Sequence, residues 1–228
     1  MLINADIGEI VGSDEAILPY IKMGNIACGG HASDAGHMEV TVDLAIQYEV
    51  NICAHPGYCD RPNFGRISVD YCREELVKLV SDQIGLLDKI CQDRGGELTA
   101  IKPHGALYHD MMRDKAGMVR TVMVEMARKY QVPLVVQAGS EIEWGIEVMT
   151  EVFADRGYMA DGGLMPRTEE CSLYDNVERI VEQARRFIDG DGASACKEDD
   201  FLLEADTLCF HGDNLASVNA LKLLNVEC

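Results

Sequence analysis

The stretch VDYCREELVKLVSDQIGLLDKICQDRGGELTAIKPHG, residues 69–105, contains the repeating unit from which we predict the fold. Apolar side chains recur at about 3.6-residue spacing over residues 69–94, which predicts a helix that ends at Gly95-Gly96. The apolar run 98–102 follows and leads into a polar end, Pro103-His104-Gly105. A short, continuous apolar run of this kind is typical of a strand buried on both faces of a parallel sheet.

The same unit recurs along the 228 residues. The predicted strands are residues 2–6, 25–29, 50–55, 98–102, 133–137, 151–155 and 208–211, and further helices are predicted at 35–48, 116–130 and 175–188. Alternating strands and helices indicate a parallel α/β fold, and at roughly 31 residues per unit the chain has room for about seven units. No G-x-G-x-x-G motif follows the first strand, which disfavours an open dinucleotide-binding sheet. We therefore predict one domain, residues 1–228, folded as a seven-stranded parallel (β/α) barrel.

The charge balance and the cysteine pattern exclude several classes of protein. Lys and Arg number 20 against 39 Asp and Glu, which gives a net charge of −19. Nucleic acids and anionic membranes are bound through clustered cations, so we expect neither as a partner. The sequence has no apolar run long enough to span a bilayer and no secretory leader, and its nine cysteines contain no C-x-x-C motif. We therefore predict a cytoplasmic protein with free thiols.

Ionisable side chains follow six of the seven predicted strands. The carboxyl ends of the strands in a parallel barrel meet at one face, where such side chains would share a pocket. Four of the six histidines occupy equivalent places at strand ends: His31, His55, His104 and His211. We interpret the other two, His37 and His109, as surface or packing residues in or beside helices.

This cluster supports two kinds of chemistry. Asp and His without Cys suit either a divalent metal held by oxygen and nitrogen ligands or general acid–base catalysis. The metal interpretation is preferred, with Asp6, His31 and His55 as ligands because they follow the first three strands. The candidate catalytic residues are Asp6, His55, Lys102, His104 and His211. Glu9 is interpreted instead as a residue that could cap the following helix.

Cations close to the strand ends are notable in so acidic a chain, because an anionic substrate group would need local positive charge. The candidate substrate-binding arginines are Arg66, Arg156 and Arg167. A structural ion pair would account equally well for Arg66 and Arg156. Asp213 joins the substrate-binding candidates because it could bind substrate or orient His211.

Seven motifs of the chain occur in the order typical of one family. They are NADIGE (4–9), NIACGGH (25–31), AHPGY (54–58), NFGR (63–66), KPHGALY (102–108), EVFADR (151–156) and HGD (211–213). On these motifs the chain resembles the LamB/YcsF family over residues 3–213, nearly its whole length. The resemblance implies a barrel of the glycoside hydrolase/deacetylase type.

The resemblance also implies an activity. It implies ATP-dependent opening of the 5-oxoproline lactam to L-glutamate, by a 5-oxoprolinase in which this chain acts with partner subunits B and C. ATP is then a co-substrate of the complex, and the lactam is a small-molecule substrate. Lys102 and an arginine would hold the substrate carboxylate or the phosphate. His55 or His104 would activate water, and Asp6 would position a metal or that base.

Three positions beside the predicted site depart from the family pattern. Gly30 stands where a bulky residue is usual, Ser33 where glycine is usual, and Ile67 where arginine is usual. The departures at Ser33 and Ile67 support a third alternative, a ligand-binding subunit without turnover. The cluster of His and Asp would equally support a stand-alone metal-dependent amide hydrolase or carbohydrate deacetylase. ATP dependence distinguishes these hypotheses. The first hypothesis predicts that His55→Ala and Lys102→Ala each abolish turnover and leave the thermal melt nearly unchanged.

Overall fold

The computed structural model describes residues 1–10, 14–113, 117–194 and 200–226. Seven strands form a closed barrel in which each strand is parallel to both neighbours. In chain order they are β1 (Leu2–Ile7), β2 (Met23–Ala27), β3 (Asn51–His55), β4 (Leu98–Ile101), β5 (Leu134–Gln137), β6 (Val148–Phe153) and β9 (Thr207–Phe210). Two short strands, β7 (Ala193–Ser194) and β8 (Asp200–Phe201), form a separate antiparallel pair. The predicted seven-stranded parallel barrel is confirmed.

The helices pack around the barrel. They are α1 (Ala35–Gln47), α2 (Arg73–Asp93), α3 (Gly105–Arg113), α4 (Met118–Tyr130), α5 (Val177–Asp189) and α6 (Leu215–Val226). Four of them were predicted, although the predicted start of α4 at Ala116 lies outside the described residues. The sequence reasoning missed α3, because its first residues were interpreted as a strand end, and α6, whose nearly uniform apolar sequence shows little amphipathic period. No helix in the described part of the chain is long and apolar enough to cross a membrane.

The barrel interior changes from apolar to polar toward the carboxyl ends of the strands. Its lower layer is formed by inward side chains of four neighbouring strands: Met23, Cys53, Ala100 and Val135. The next layer contains Asn4 and Asn25, which are fully buried and hydrogen-bonded to each other. Asp6 follows Asn4 by two residues and therefore points to the same side of β1. Because side chains alternate along β1, the polar layer extends to the carboxyl end of the barrel.

Helix α2 links the outer core to the loop after β3. Its buried face includes Leu76, Val80 and Ile84, as the apolar spacing predicts. Gln83 lies on the same face, and its amide bonds both backbone groups of Gly57, at 3.1 Å to the N–H and 2.8 Å to the carbonyl oxygen. The polar position on the apolar face of α2 therefore anchors the loop that follows His55.

Candidate active site

One pocket opens at the carboxyl ends of the barrel strands and contains about 40 Å³ of open space. Its principal lining side chains are Asp6, His55, Arg66, Lys102, His104, Tyr108, His109, Phe153, Arg156, Leu164, Arg167 and His211. The structure therefore brings together all five predicted catalytic residues and the three predicted substrate-binding arginines. The remaining candidates lie just behind this lining, where His31 contacts Glu9 and Asp213 pairs with Arg66.

Three histidines surround the carboxylate of Glu9 at one side of the pocket. Glu9 Oε1 lies 3.0 Å from His31 Nε2, 3.2 Å from His104 Nδ1 and 3.9 Å from His55 Nε2. The rings of His31 and His104 stack with their centroids 3.6 Å apart. The structure thus groups two of the predicted metal ligands with Glu9 and His104, whereas the third, Asp6, falls in a second group of donor atoms.

Backbone carbonyls fix which ring nitrogens carry hydrogen in two of these histidines. His55 Nδ1 lies 2.7 Å from the carbonyl oxygen of Lys102, and His104 Nε2 lies 2.9 Å from that of Phe64. A carbonyl can only accept, so both nitrogens donate, and neutral His55 Nε2 and His104 Nδ1 present lone pairs. These two nitrogens lie 3.0 Å apart beside Glu9. Lone pairs gathered in this way need a shared proton or a cation between them.

The same donor set fits a divalent metal. Three imidazoles and one carboxylate, whose ligand atoms all lie within 4.8 Å of one another, are the ligands that zinc and related ions accept. The two carbonyl partners are the outer hydrogen bonds that orient metal-bound histidines. His31 Nδ1 is buried and has no hydrogen-bond partner in the described part of the chain. The cluster of Glu9, His31, His55 and His104 is therefore compatible with a divalent metal.

Burial lowers the pKa values of two histidines beside Glu9. Burial, reinforced by the neighbouring His104, lowers the pKa of His31 to about 3. Burial likewise lowers the pKa of His104. Burial alone would raise the pKa of Glu9, but its contacts with His104 and His31 outweigh that effect and hold the pKa well below its usual value. At neutral pH the imidazoles of His31 and His104 are therefore neutral, with lone pairs available to a metal.

The second group of donor atoms consists of Asp6, Cys209 and His211. A cation of the chain itself, the Lys102 ammonium, lies against two of them. Lys102 Nζ lies 3.1 Å from Asp6 Oδ1, 3.0 Å from Glu151 Oε2 and 3.0 Å from Cys209 Sγ. Burial would lower the pKa of Lys102, but the charge of Asp6 outweighs it and keeps the pKa well above its usual value. The ammonium donates hydrogen bonds to Asp6 Oδ1 and Cys209 Sγ, and its contact with Glu151 Oε2 is a close charge contact without a hydrogen bond. In this arrangement Lys102 is committed to Asp6, Cys209 and Glu151 rather than to a substrate anion.

His211 also lines the pocket and is paired with a buried carboxylate. His211 Nδ1 is 2.7 Å from Asp155 Oδ1, and the imidazole stacks on Phe153. Burial would lower the pKa of His211, but the charge and hydrogen bond of Asp155 outweigh it and raise that pKa. Asn214 donates to the second oxygen of Asp155 at 3.2 Å, which fixes the carboxylate. The dyad therefore offers a proton to the pocket at Nε2.

Three arginines bring positive charge to the pocket. Arg66 pairs with Asp213, and buried Arg156 donates to two backbone carbonyl oxygens at 2.9 and 2.8 Å. Burial and the charge of Arg167 lower the pKa of Arg156 to about 10. The guanidinium of Arg167 has no hydrogen bond or ion pair among the residues that the structure describes. An unpaired guanidinium beside two other cations is suited to hold an anionic group.

Backbone geometry characterises two of the residues beside the site that depart from the family pattern. A Cβ atom on Gly30 would lie 2.5 Å from the carbonyl oxygen of Gly57, so the bulky residue usual in the family would not fit this chain's geometry. Ser33, which replaces the usual glycine, has a φ of 70°, in the left-handed region that glycine adopts most easily. Arg61 donates to the Ser33 carbonyl oxygen and holds this conformation.

The sequence reasoning missed several residues that the structure places at the site. Glu9 was interpreted as a helix cap, although its position just after β1 is the same signal that identified Asp6. His109 was interpreted as a packing residue, yet it lies on the first turns of α3 and lines the pocket. Glu151 lies inside the barrel in mid-strand, where no signal in the sequence distinguishes it from a core position.

The sequence model of the LamB/YcsF family matches residues 1–227. The chain belongs to the LamB/YcsF family. It is 39% identical to a relative from Pseudomonas fluorescens (strain Pf0-1) that is named as the A subunit of 5-oxoprolinase, over 235 residues, which cover 97% of this chain and 94% of that relative. Members of this family thus include proteins named as subunits of an enzyme that acts on a cyclic amide.

Solved structures agree with this family membership. The lactam utilization protein from Thermus thermophilus superposes on this LamB/YcsF protein with a TM-score of 0.90 and 30% identity, covering 100% of this chain and 96% of that one. The catalytic domain of peptidoglycan N-acetylglucosamine deacetylase from Eubacterium rectale covers 99% of this chain and 80% of that one, with a TM-score of 0.53 and 9% identity. The second likeness shows the fold alone and confirms the predicted deacetylase type of barrel.

Proposed function

We propose that this chain is the ring-opening subunit of an ATP-dependent 5-oxoprolinase, which converts 5-oxoproline to L-glutamate in the cytoplasm together with subunits B and C. The proposal rests mainly on one observation. The imidazole of His211, paired with Asp155, and the imidazole of His55, beside Asp6, line the same pocket. The relatives named as the A subunit of 5-oxoprolinase support the same substrate.

The reaction needs an activated lactam, because an unstrained amide is a poor electrophile. Transfer of the γ-phosphoryl group of ATP to the amide oxygen makes the ring carbon reactive. Water then adds to that carbon, and the ring C–N bond breaks as the nitrogen takes a proton, which leaves an acyl phosphate. A second water hydrolyses the acyl phosphate to the glutamate carboxylate and phosphate. In this proposal the partner subunits use ATP, because the sequence of this chain contains no P-loop motif G-x-x-x-x-G-K-[ST].

Different histidines of the pocket would supply the two halves of the proton transfer. His55 or His104 takes a proton from the attacking water, near the place where Asp6 Oδ2 lies 3.4 Å from His55 Nε2. His211, kept protonated by Asp155, gives a proton to the ring nitrogen as the C–N bond breaks. A divalent ion held by Glu9 and the three histidines would supply a water of lowered pKa.

The experiment that tests this proposal is glutamate release from 5-oxoproline, with and without ATP, by this chain combined with subunits B and C. We expect ATP-dependent glutamate that disappears when this chain is omitted. Subunits B and C that are competent with the equivalent chain of a relative provide the control. If those subunits yield no glutamate with this chain, the proposal is wrong, and ATP-independent hydrolysis of amides and N-acetyl sugars would be measured next.

A metal-dependent amide hydrolase or deacetylase is the second candidate, and the cluster around Glu9 is the observation that favours it. We expect Co²⁺ to bind at one ion per chain, with visible absorption typical of nitrogen and oxygen ligands. His104→Ala should weaken this binding by more than about tenfold, because a ligand is lost. His37→Ala, outside the cluster, should bind like the wild type. If the chain binds no Co²⁺, the metal-dependent candidate is wrong, and the cluster can act only in metal-free acid–base catalysis.

Arg167 should determine the affinity for the anionic part of the substrate. We expect Arg167→Gln to raise KM roughly tenfold to hundredfold, since one charge-assisted hydrogen bond is lost, and to change kcat less. Steady-state glutamate production measures both constants. Arg73→Gln, which removes an exposed ion pair with Glu125, is the matched control and should change neither. An unchanged KM in Arg167→Gln would contradict the anion-binding role.

A further inference from the structure

Asp6 is held from below by two donors that the barrel interior supplies. Asn25 Nδ2 lies 2.8 Å and Lys102 Nζ 3.1 Å from the same oxygen, Asp6 Oδ1. The other oxygen, Oδ2, faces His55 Nε2 at 3.4 Å. One oxygen is therefore pinned by the protein, and the second is left for the pocket.

A directed chain of hydrogen bonds fixes the orientation of the Asn25 amide. Thr207 donates its hydroxyl hydrogen to the Leu2 carbonyl oxygen at 2.8 Å, so its oxygen accepts from Asn4 Nδ2, also at 2.8 Å. Asn4 Oδ1 is then the atom that accepts from Asn25 Nδ2, at 2.7 Å. The second hydrogen of Asn25 Nδ2 is thereby directed at Asp6.

Asn25 keeps this orientation although it leaves a polar atom unsatisfied. Asn25 Oδ1 is buried and has no hydrogen-bond partner in the described ranges. A 180° rotation of the amide would exchange Oδ1 and Nδ2. The oxygen of Asn25 would then lie against two other acceptors, the Asp6 carboxylate and Asn4 Oδ1. A buried acceptor without a partner costs free energy. We interpret this cost as offset by the hydrogen bond that the amide nitrogen donates to Asp6.

Glu151 contacts Lys102, as Asn25 contacts Asp6. Its Oε2 lies 3.0 Å from Lys102 Nζ, and the residue is fully buried inside the barrel. Burial raises the pKa of the Glu151 carboxyl, which the charge of Lys102 only partly offsets. Both side-chain oxygens of Glu151 lack a hydrogen-bond partner in the described ranges, so Glu151 meets the ammonium as a close polar oxygen rather than through a hydrogen bond.

We propose that Asn25 and Glu151 are positioning residues that hold Asp6, directly and through Lys102, in the one orientation that leaves Oδ2 free toward His55. This inference rests on the proposed function, since the role of Asp6 in the reaction is part of it. Neither residue lines the pocket or contacts the substrate side. Their effect is on the rate of the chemical step rather than on substrate binding.

Turnover of three variants tests the positioning role. Glu151→Leu and Asn25→Leu should each lower kcat by about 100-fold with KM changed less than about twofold, because Asp6 loses its fixed geometry. Glu151→Gln keeps a polar oxygen beside Lys102 and should lose no more than about threefold in kcat. Glu147→Leu, an exposed position just before β6, is the matched control. The proposal is wrong if Glu151→Leu turns over like the wild type, or if Glu151→Gln is as slow as Glu151→Leu.

The ammonium of Lys102 gives a second readout that does not depend on activity. A buried ammonium that is enclosed by protein atoms exchanges its hydrogens slowly with water and gives a distinct ¹H–¹⁵N correlation signal. We expect this signal in the wild type and in Glu151→Gln, and its loss in Glu151→Leu. A signal that persists in Glu151→Leu overturns the role of Glu151. If the wild type makes no glutamate but the signals behave as expected, the proposed function fails while the holding of Lys102 stands.

Discussion

Replacement of Lys102 by methionine should abolish ATP-dependent glutamate production and lower the free energy of unfolding by about 3–5 kcal/mol. The ammonium is buried between Asp6 and Glu151, and its removal leaves the Asp6 carboxylate in the barrel interior without an opposite charge. Urea unfolding and the coupled glutamate assay measure the two effects. The sequence alone predicted an unchanged thermal melt for Lys102→Ala, and the burial of the ammonium is the reason for the different expectation.

Two further variants separate the loss of stability from the loss of activity. Lys102→Met combined with Asp6→Asn removes both charges and should recover part of the free energy of unfolding while glutamate production stays absent. Lys89→Met, which breaks an exposed pair with Asp93 on α2, should change neither quantity. A Lys102→Met protein that unfolds at the same urea concentration as the wild type would contradict the buried ion pair.

His211→Gln should lower kcat by roughly 10²–10⁴-fold with little change in KM, because the pocket loses the acid that protonates the ring nitrogen. The fold should persist, since the side chain keeps 12% exposure at the pocket wall and glutamine can still donate to Asp155. Single-turnover glutamate formation with subunits B and C measures the chemical step. Wild-type kcat in His211→Gln would show that another group protonates the nitrogen.

The pH dependence of the same step gives the sign of the effect. Asp155 raises the pKa of His211 above its ordinary value of about 6.5, so kcat should fall as pH rises through the raised pKa. The stability that the pair contributes follows the same direction: it is fully present below about pH 6.5 and is lost as pH rises through the folded-state pKa. Asp155→Asn should shift the alkaline limb of the kcat profile to lower pH. An unshifted limb in Asp155→Asn would assign it to another group.

The barrel and the meeting of the candidate residues were predictable because both follow from local patterns and one topological rule. Apolar runs and helical spacing predicted all seven barrel strands, with β2 and β6 starting two or three residues earlier than expected. The rule that parallel strands end at one face then placed Asp6, His55 and His211 in one pocket.

The contacts between these side chains were not predictable in the same way. Glu9 contacts three histidines at or after the carboxyl ends of β2, β3 and β4, whereas Asp6 contacts only one of them, His55. The course of the loops at these strand ends decides this difference. The tautomers of His55 and His104 depend on carbonyl oxygens of Lys102 and Phe64, which belong to other segments. No spacing in the sequence encodes such pairings.

The sequence by itself determined the class of fold, the end of the barrel that carries the chemistry, and the residue types available there. These properties depend on hydrophobic periodicity and strand direction, which are local. The tertiary structure decided the charge and the direction of each group: Lys102 as a fixed cation on Asp6, His211 as an acid beside Asp155, and His31 and His104 beside Glu9 as neutral donors of lone pairs. Burial and distances of about 3 Å set these properties, and both arise only when distant segments of the chain pack together.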